Sequence, residues 1–260
     1  GGRAFRWVNG VMQDLGTLGG DRSYAYGVSA DGRVVVGWAD NASEQLRAFR
    51  WVNGVMQDLG TLGGGGWSYA YGVSADGSVV VGWAHNASGQ PRAFRWVNGV
   101  MQDLGTLGGG DWIEASGVSA DGSVVVGGVT FGAFGDPASR SSRAFRWTAQ
   151  GGMEDLNQTY AALLANGSTL VGAAAISPDG RYIVGKGYNA TTRRNEAFLL
   201  DTGFPRQGDV NRDGCVDDAD LLAVLFAFGG VGYRNEDLNW DGVIDDADLL
   251  IVLFNFGSGC

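Results

Sequence analysis

Residues Ala4–Gly20 read AFRWVNGVMQDLGTLGG, and the same string returns at Ala48–Gly64 and Ala93–Gly109. A degraded copy, AFRWTAQGGMEDL, starts at Ala144, and a fragment, AFLLDTG, at Ala197. Within the string, Asn9-Gly10, Asn53-Gly54 and Asn98-Gly99 separate two short β-prone runs, and Asn-Gly tolerates the positive φ of a tight hairpin turn. The run before the turn alternates, with Phe5 and Trp7 on one face and Ala4 and Arg6 on the other. The string reads as a β-hairpin that the chain repeats.

A second unit lies between the copies: GVSADG at Gly27, Gly72 and Gly117, and AISPDG at Ala175, each followed by VVVG or YIVG. Asp31-Gly32, Asp76-Gly77, Asp121-Gly122 and Asp179-Gly180 predict a second hairpin per repeat, and VVVG predicts a strand buried on both faces. Four strands recurring every 44 or 45 residues make a four-stranded antiparallel sheet, the unit of a β-propeller. The strand count exceeds four blades by one, so the expectation is four blades, or four and an incomplete fifth. Ala4–Val8 then competes with Ala197–Asp201 for one place. Either the N-terminal hairpin closes the ring beside Leu200, or it adds to a neighbouring molecule's sheet edge.

AFRW, DLGTLGG and GVSADGSVVVGW together resemble the HAF family of extracellular repeats over about residues 3–200. The resemblance implies a repeated β architecture outside the cell and no particular chemistry.

The tail repeats with a period of 28: DVNRDGCVDDADLLAVLFAFG from Asp209 and DLNWDGVIDDADLLIVLFNFG from Asp237. Alternating oxygen donors around a central glycine are the pattern of a calcium loop. The first donor set is Asp209, Asn211, Asp213, the Cys215 carbonyl, Asp217 and Asp220. The second is Asp237, Asn239, Asp241, the Val243 carbonyl, Asp245 and Asp248. A hard cation with six or seven oxygen ligands suits both, so two calcium ions are expected, with Val216 and Ile244 pairing the loops. Asp220 and Asp248 stand where an EF-hand has Glu, and no helix leads into either loop. In both respects the segment from about Gly208 to the end is similar to a dockerin. The basic residues by which dockerins choose a cohesin are missing: Asp218-Ala219 and Asp246-Ala247 precede the apolar runs LLAVLFAF and LLIVLFNF. Core positions are the default for Phe226, Phe228, Phe254 and Phe256, with a docking surface as the alternative.

Composition agrees with this division. Of 28 acidic and 18 basic residues, 11 and 2 fall within residues 207–260, so the net charge of −10 is almost wholly the tail's. Such a tail attracts cations and disfavours nucleic acid. No apolar run reaches the roughly 18 residues that cross a bilayer. Gly1 lies inside a motif, which reads as a processed or partial sequence. The two cysteines, Cys215 and Cys260, predict a disulfide in an oxidising compartment.

Catalysis has little support. His85 is the sole histidine and sits at a His-Asn-Ala-Ser turn, so neither a histidine triad nor a zinc centre is expected. Glu154 and Asp155 are adjacent, but Asp155 belongs to the repeat with Asp14, Asp58 and Asp103, which argues for structure. Arg6, Arg50, Arg95 and Arg146 with Trp7, Trp51, Trp96 and Trp147 read as packing between blades, with a sugar-binding face as the alternative. Glycosylation motifs at Asn41, Asn86, Asn157, Asn166 and Asn189 predict exposed loops.

The reading is a mainly β chain with a small α domain: a propeller-like repeat domain at 1–203, a linker at 204–208 and a dockerin-like calcium domain at 209–260. The expected function is non-enzymatic: extracellular assembly into a fibre, sheath or surface layer through docking to other copies. The alternatives are docking to a separate cohesin-type receptor and glycan binding by the propeller.

Overall fold

The computed structural model describes residues 2–109, 112–132, 141–203 and 205–260, so Phe204 of the expected linker lies outside the described residues. The chain is mainly β. A hairpin of β1 (Phe5–Val8) and β2 (Val11–Asp14) comes first. Three four-stranded antiparallel sheets follow. They are β3 (Gly19–Val28) to β6 (Val55–Asp58), β7 (Ser68–Val73) to β10 (Val100–Asp103), and β11 (Trp112–Val118) to β14 (Gly152–Asp155), each in chain order. A short α1 (Leu156–Thr159) leads to a three-stranded sheet of β15 (Thr169–Ile176), β16 (Tyr182–Asn189) and β17 (Arg194–Asp201).

The local chemistry explains these sheets. Asn9, Asn53 and Asn98 all take φ 50°, and the glycine after each is also positive, the geometry of a two-residue hairpin turn. The Asp-Gly turns differ: only the glycine is left-handed, and the Ser29 hydroxyl donates to Asp31 while accepting from the Val34 amide. In VVVG the glycine is required by the neighbouring strand. A Cβ on Gly37 would meet the Tyr24 carbonyl at 1.8 Å, and one on Gly82 the Tyr69 carbonyl at 1.9 Å.

Successive sheets stack face to face. Val34, Val36 and Ala48 of one sheet pack on Val80, Phe94 and Trp96 of the next, and Val79, Val81 and Ala93 on Val125, Phe145 and Trp147 of the one after. Burying one such Phe stabilises the fold by roughly 1.5–3 kcal/mol. The Asp-Gly turns are also laddered, Ala30 N–H to Ala75 O, Ala75 N–H to Ala120 O and Ala120 N–H to Pro178 O.

The ends depart from the expected four blades of four strands. Among the described residues neither strand of the first hairpin is bonded to β17, which leaves a three-stranded sheet at one end and a two-stranded one at the other. The hairpin packs instead on its own successor: Ala4 and Leu15 pack with Val35, Phe49 and Trp51, and the Ala4 amide donates to Ser23 Oγ. Ala48 donates to Ser68 Oγ in the same way, so β1–β2 bears to β3–β6 the relation that β5–β6 bears to β7–β10.

Beyond residue 204 the tail forms α2 (Asp218–Ala227) and α3 (Asp246–Asn255), joined by the Cys215–Cys260 disulfide and a core of Val210, Val216, Val224, Ile244 and Val252. Val216 and Ile244 share that core, but their backbones do not pair with each other. Val216 bonds to Gly257 and Ser258 after α3, and Ile244 to Gly229 and Gly230 after α2. Each loop is thus held by the segment that leaves the other half's helix.

Candidate metal-binding loops

The two tail loops have one geometry. Arg212 and Gly214 take φ 63° and 95°, and Trp240 and Gly242 take 59° and 89°, so each loop turns sharply at the same points. Each then enters its helix through a capping box: the Asp217 carboxylate accepts from the Ala219 amide and that of Asp220 from the Asp217 amide, with Asp245 and Asp248 repeating the arrangement. These caps satisfy amides that a helix start leaves unpaired.

Asp220 also ties the loop to its beginning, since its Oδ1 accepts from the amides of Val210 (2.7 Å) and Asn211 (3.0 Å). Asp248 does the same for Leu238 and Asn239. Asn211 and Asp213 accept from the amides of Asp213 and Cys215, and Asn239 and Asp241 from those of Asp241 and Val243. Asp209 and Asp237 accept from Gly214 and Gly242. The five side chains expected in each loop therefore lie, with the one expected carbonyl, on one short stretch wrapped around its glycine. Among the described residues, no three of the acidic, Cys or His side chains close to ligand distance of a common point; the backbone amides hold the carboxylates at their present spacing.

Charge is what this arrangement leaves uncompensated. Asp209, Asp220, Asp237 and Asp248 are all buried. Burial pushes the Asp209 carboxyl up, with a further push from Asp220 and Asp213, and burial followed by Asp248 and Asp241 does the same to Asp237. Asp209 Oδ1 is buried without a hydrogen-bond partner. Buried carboxylates, an unpartnered oxygen and hard oxygen donors throughout fit a hard divalent cation such as calcium. Asp209, Asn211, Asp213, Asp217 and Asp220 with the Cys215 carbonyl would hold one ion. Asp237, Asn239, Asp241, Asp245 and Asp248 with the Val243 carbonyl would hold the other.

The phenylalanines correct the core expectation. Phe226 and Phe254 are 86% and 83% exposed, and Phe228 and Phe256 are also exposed. The valines and Ile244 fill the small interior, and each ten-residue helix has only one stripe to turn inward. Leu222, Leu225, Leu250 and Leu253 are exposed beside the phenylalanines, leaving an apolar outer face on both helices.

The first loop brings in a residue outside the expected donor set. Arg212 sits 2.8 Å from Asp121 and donates to Ser123 Oγ at 2.8 Å, in the turn between β11 and β12. The corresponding residue of the second loop is Trp240. A lone arginine in an acidic loop was the available signal, but its partner is some ninety residues away in sequence.

The other candidates sort as follows. Trp51, Trp96 and Trp147 are buried between sheets, while Arg50 and Arg95 donate across to the carbonyls of Gly77 and Gly122. Glu154 and Asp155 are engaged by Arg146 and Arg143. His85 ends β8 rather than lying in the turn, and its Nδ1 accepts from the Trp67 amide. Of the five glycosylation motifs only Asn166 is exposed, the other four asparagines being half-buried; Asn157 is bonded through its side chain to both backbone groups of Leu170.

No protein-family model matches the chain, and no curated protein matches it. Among solved structures it is similar to TolB from Acinetobacter baumannii, with 16% identity and a TM-score of 0.48 over 74% of this chain and 44% of that one. A putative TolB from Agrobacterium tumefaciens gives 19% and 0.45 over 75% and 62%. A puromycin hydrolase mutant complexed with PGG gives 16% and 0.41 over 70% and 27%. The chain spans less than two thirds of each of these proteins.

Proposed function

We propose that this chain is an extracellular assembly protein in which propeller-like repeats, three complete four-stranded sheets between two incomplete ones, carry a dockerin-like module that binds two calcium ions and docks onto other copies. The observation that carries the reading is the outer face of α2 and α3. On and just after each helix, two exposed phenylalanines and two exposed leucines leave apolar surface on a module whose first loop is held to the β-sheets by Arg212. An exposed patch of that kind marks a protein contact. Calcium would neutralise the buried carboxylates that anchor the start of each helix, and so hold the two helices in the pose that presents the face. No enzymatic role is assigned.

The test is calcium titration by calorimetry together with sedimentation of the full chain in calcium and in chelator. Two binding events and a calcium-dependent rise in mass support the reading; absence of calcium binding ends it. A tail that binds calcium but pulls down a different protein, with no self-association, would support the cohesin-type alternative instead.

A further inference from the structure

Where the second and third four-stranded sheets meet the first acidic loop, they border a cavity of about 660 Å³. Three arginines line it: Arg95 of β9 (Pro91–Val97), Arg146 of β13 (Ser141–Thr148) and Arg212 of the loop. The one carboxylate in the wall is that of Asp121. With Glu154 added as the ion-pair partner of Arg146, three arginines stand against two acids, so the place holds an excess positive charge in a chain whose net charge is −10.

The three arginines are not equivalent. Arg212 spends its donors on Asp121, Ser123 and Asn235, and Arg146 is engaged by Glu154 and Tyr160. Arg95 donates through Nε to the Gly122 carbonyl at 3.0 Å and makes no ion pair among the described residues. A guanidinium carries five N–H donors, so the Nη groups of Arg95 keep theirs for a ligand. The residue is half-buried, and burial pushes its guanidinium down from its ordinary value against the pull of Asp121. A buried cation without a bonded anion calls for one.

The remaining wall suits a hydroxylated molecule. Gln102 and Gln150 are exposed amides with no partner among the described residues, and Thr148 adds a hydroxyl; each can both donate and accept. The cavity is far larger than a free inorganic oxyanion and falls in the range of roughly 300–1,000 Å³ that encloses small organic ligands. The anionic group therefore belongs to a larger polar molecule.

We propose that this cavity binds an acidic saccharide, with its anionic group on the Nη groups of Arg95 and its hydroxyls on Gln102, Gln150 and Thr148. A carboxylate and a sulfate ester both match the planar fork of a guanidinium, so the shared chemistry is a sugar oxyanion. The site uses no residue of the α2 and α3 face and stands or falls separately from the docking proposed for the tail.

The test is calorimetry on the full chain in calcium, with tetragalacturonate, a sulfated carrageenan tetrasaccharide, neutral maltotetraose and tetraglutamate as probes. At least one acidic sugar is expected to bind, the tighter of the two naming the anion, and maltotetraose to give no heat. Arg95→Gln should weaken that binding by about tenfold or more, as loss of a bond to a charged group does. Arg50→Gln is the control, since Arg50 makes the equivalent bond to the Gly77 carbonyl one repeat earlier and does not line the cavity; it should bind as wild type does. Gln150→Ala, at an exposed position, should also weaken binding, and circular dichroism checks the fold of each variant. A calcium bridge between the sugar and the acidic loops would be insensitive to Arg95→Gln, and that result would overturn the inference. So would the absence of binding by either acidic sugar, equal binding of maltotetraose, tighter binding of tetraglutamate, or equal losses in Arg95→Gln and Arg50→Gln.

Discussion

Arg212, in the first acidic loop, lies 2.8 Å from Asp121, in the turn between β11 and β12. Asp121 already accepts from the Ser119 hydroxyl and from the Ser123 amide and hydroxyl, so the arginine joins a turn that the repeat has built for its own purposes. Both side chains are mostly buried, a setting in which loss of one partner leaves a charge poorly solvated.

Arg212→Ala is therefore expected to release the tail while leaving both parts folded. Small-angle scattering should show a larger radius of gyration, and protease should cut sooner around residues 204–208. The loss of stability should be about 1–3 kcal/mol. Unchanged scattering and cleavage would show that the contact does not hold the tail.

The same pair sets an acid limit. Burial pushes the Asp121 carboxyl up, but the Ser119 hydroxyl, Arg212 and Ser123 outweigh it and hold it below its ordinary value of 3.8. A carboxyl with a depressed folded-state value contributes stability that is present above its unfolded value and is lost as the pH falls through the folded one. The tail should stay docked at pH 5 and loosen below about pH 4, as protonation removes the carboxylate. Asp121→Asn should show loosened scattering already at pH 7.

Gly82→Ala should destabilise the β-sheets by about 3 kcal/mol, because the new Cβ meets the Tyr69 carbonyl at 1.9 Å and β7 must move off β8. Gly65→Ala is the control: nothing lies within 4 Å and φ is not positive there, so thermal melting should shift little. Equal shifts for the two variants would contradict the close approach.

Cys260→Ser removes a cross-link spanning 45 residues of sequence. The tail should lose about 2–4 kcal/mol, read from hydrogen exchange of the α2 and α3 amides during denaturation. The β-sheets, which hold neither cysteine, should melt unchanged.

The sheets were legible because the repeat writes its punctuation several times over. Asn9-Gly10 and its copies mark the turns, and the alternation in AFRW places Phe49 and Trp51 on one face, where both are buried. The exposure of Phe5 and Trp7 was not legible from the same letters, since they are identical in type to the buried Phe49 and Trp51. The sharp turns of the tail loops were readable at Gly214 and Gly242, since loop geometry is local. The exposure of Phe226 and Phe254 was not, because an apolar run does not say how much interior a module of some fifty residues can offer. Arg212–Asp121 is a tertiary contact that no local pattern encodes.

Sedimentation of the full chain in calcium and in chelator tests the central claim most directly. In calcium it should associate through the α2–α3 face, and in chelator it should be monomeric. Adding Phe226→Ser and Phe254→Ser, substitutions at exposed positions that cost the fold under about 0.5 kcal/mol, should give the monomer in calcium too. Identical sedimentation of the full chain in calcium and in chelator would contradict the account.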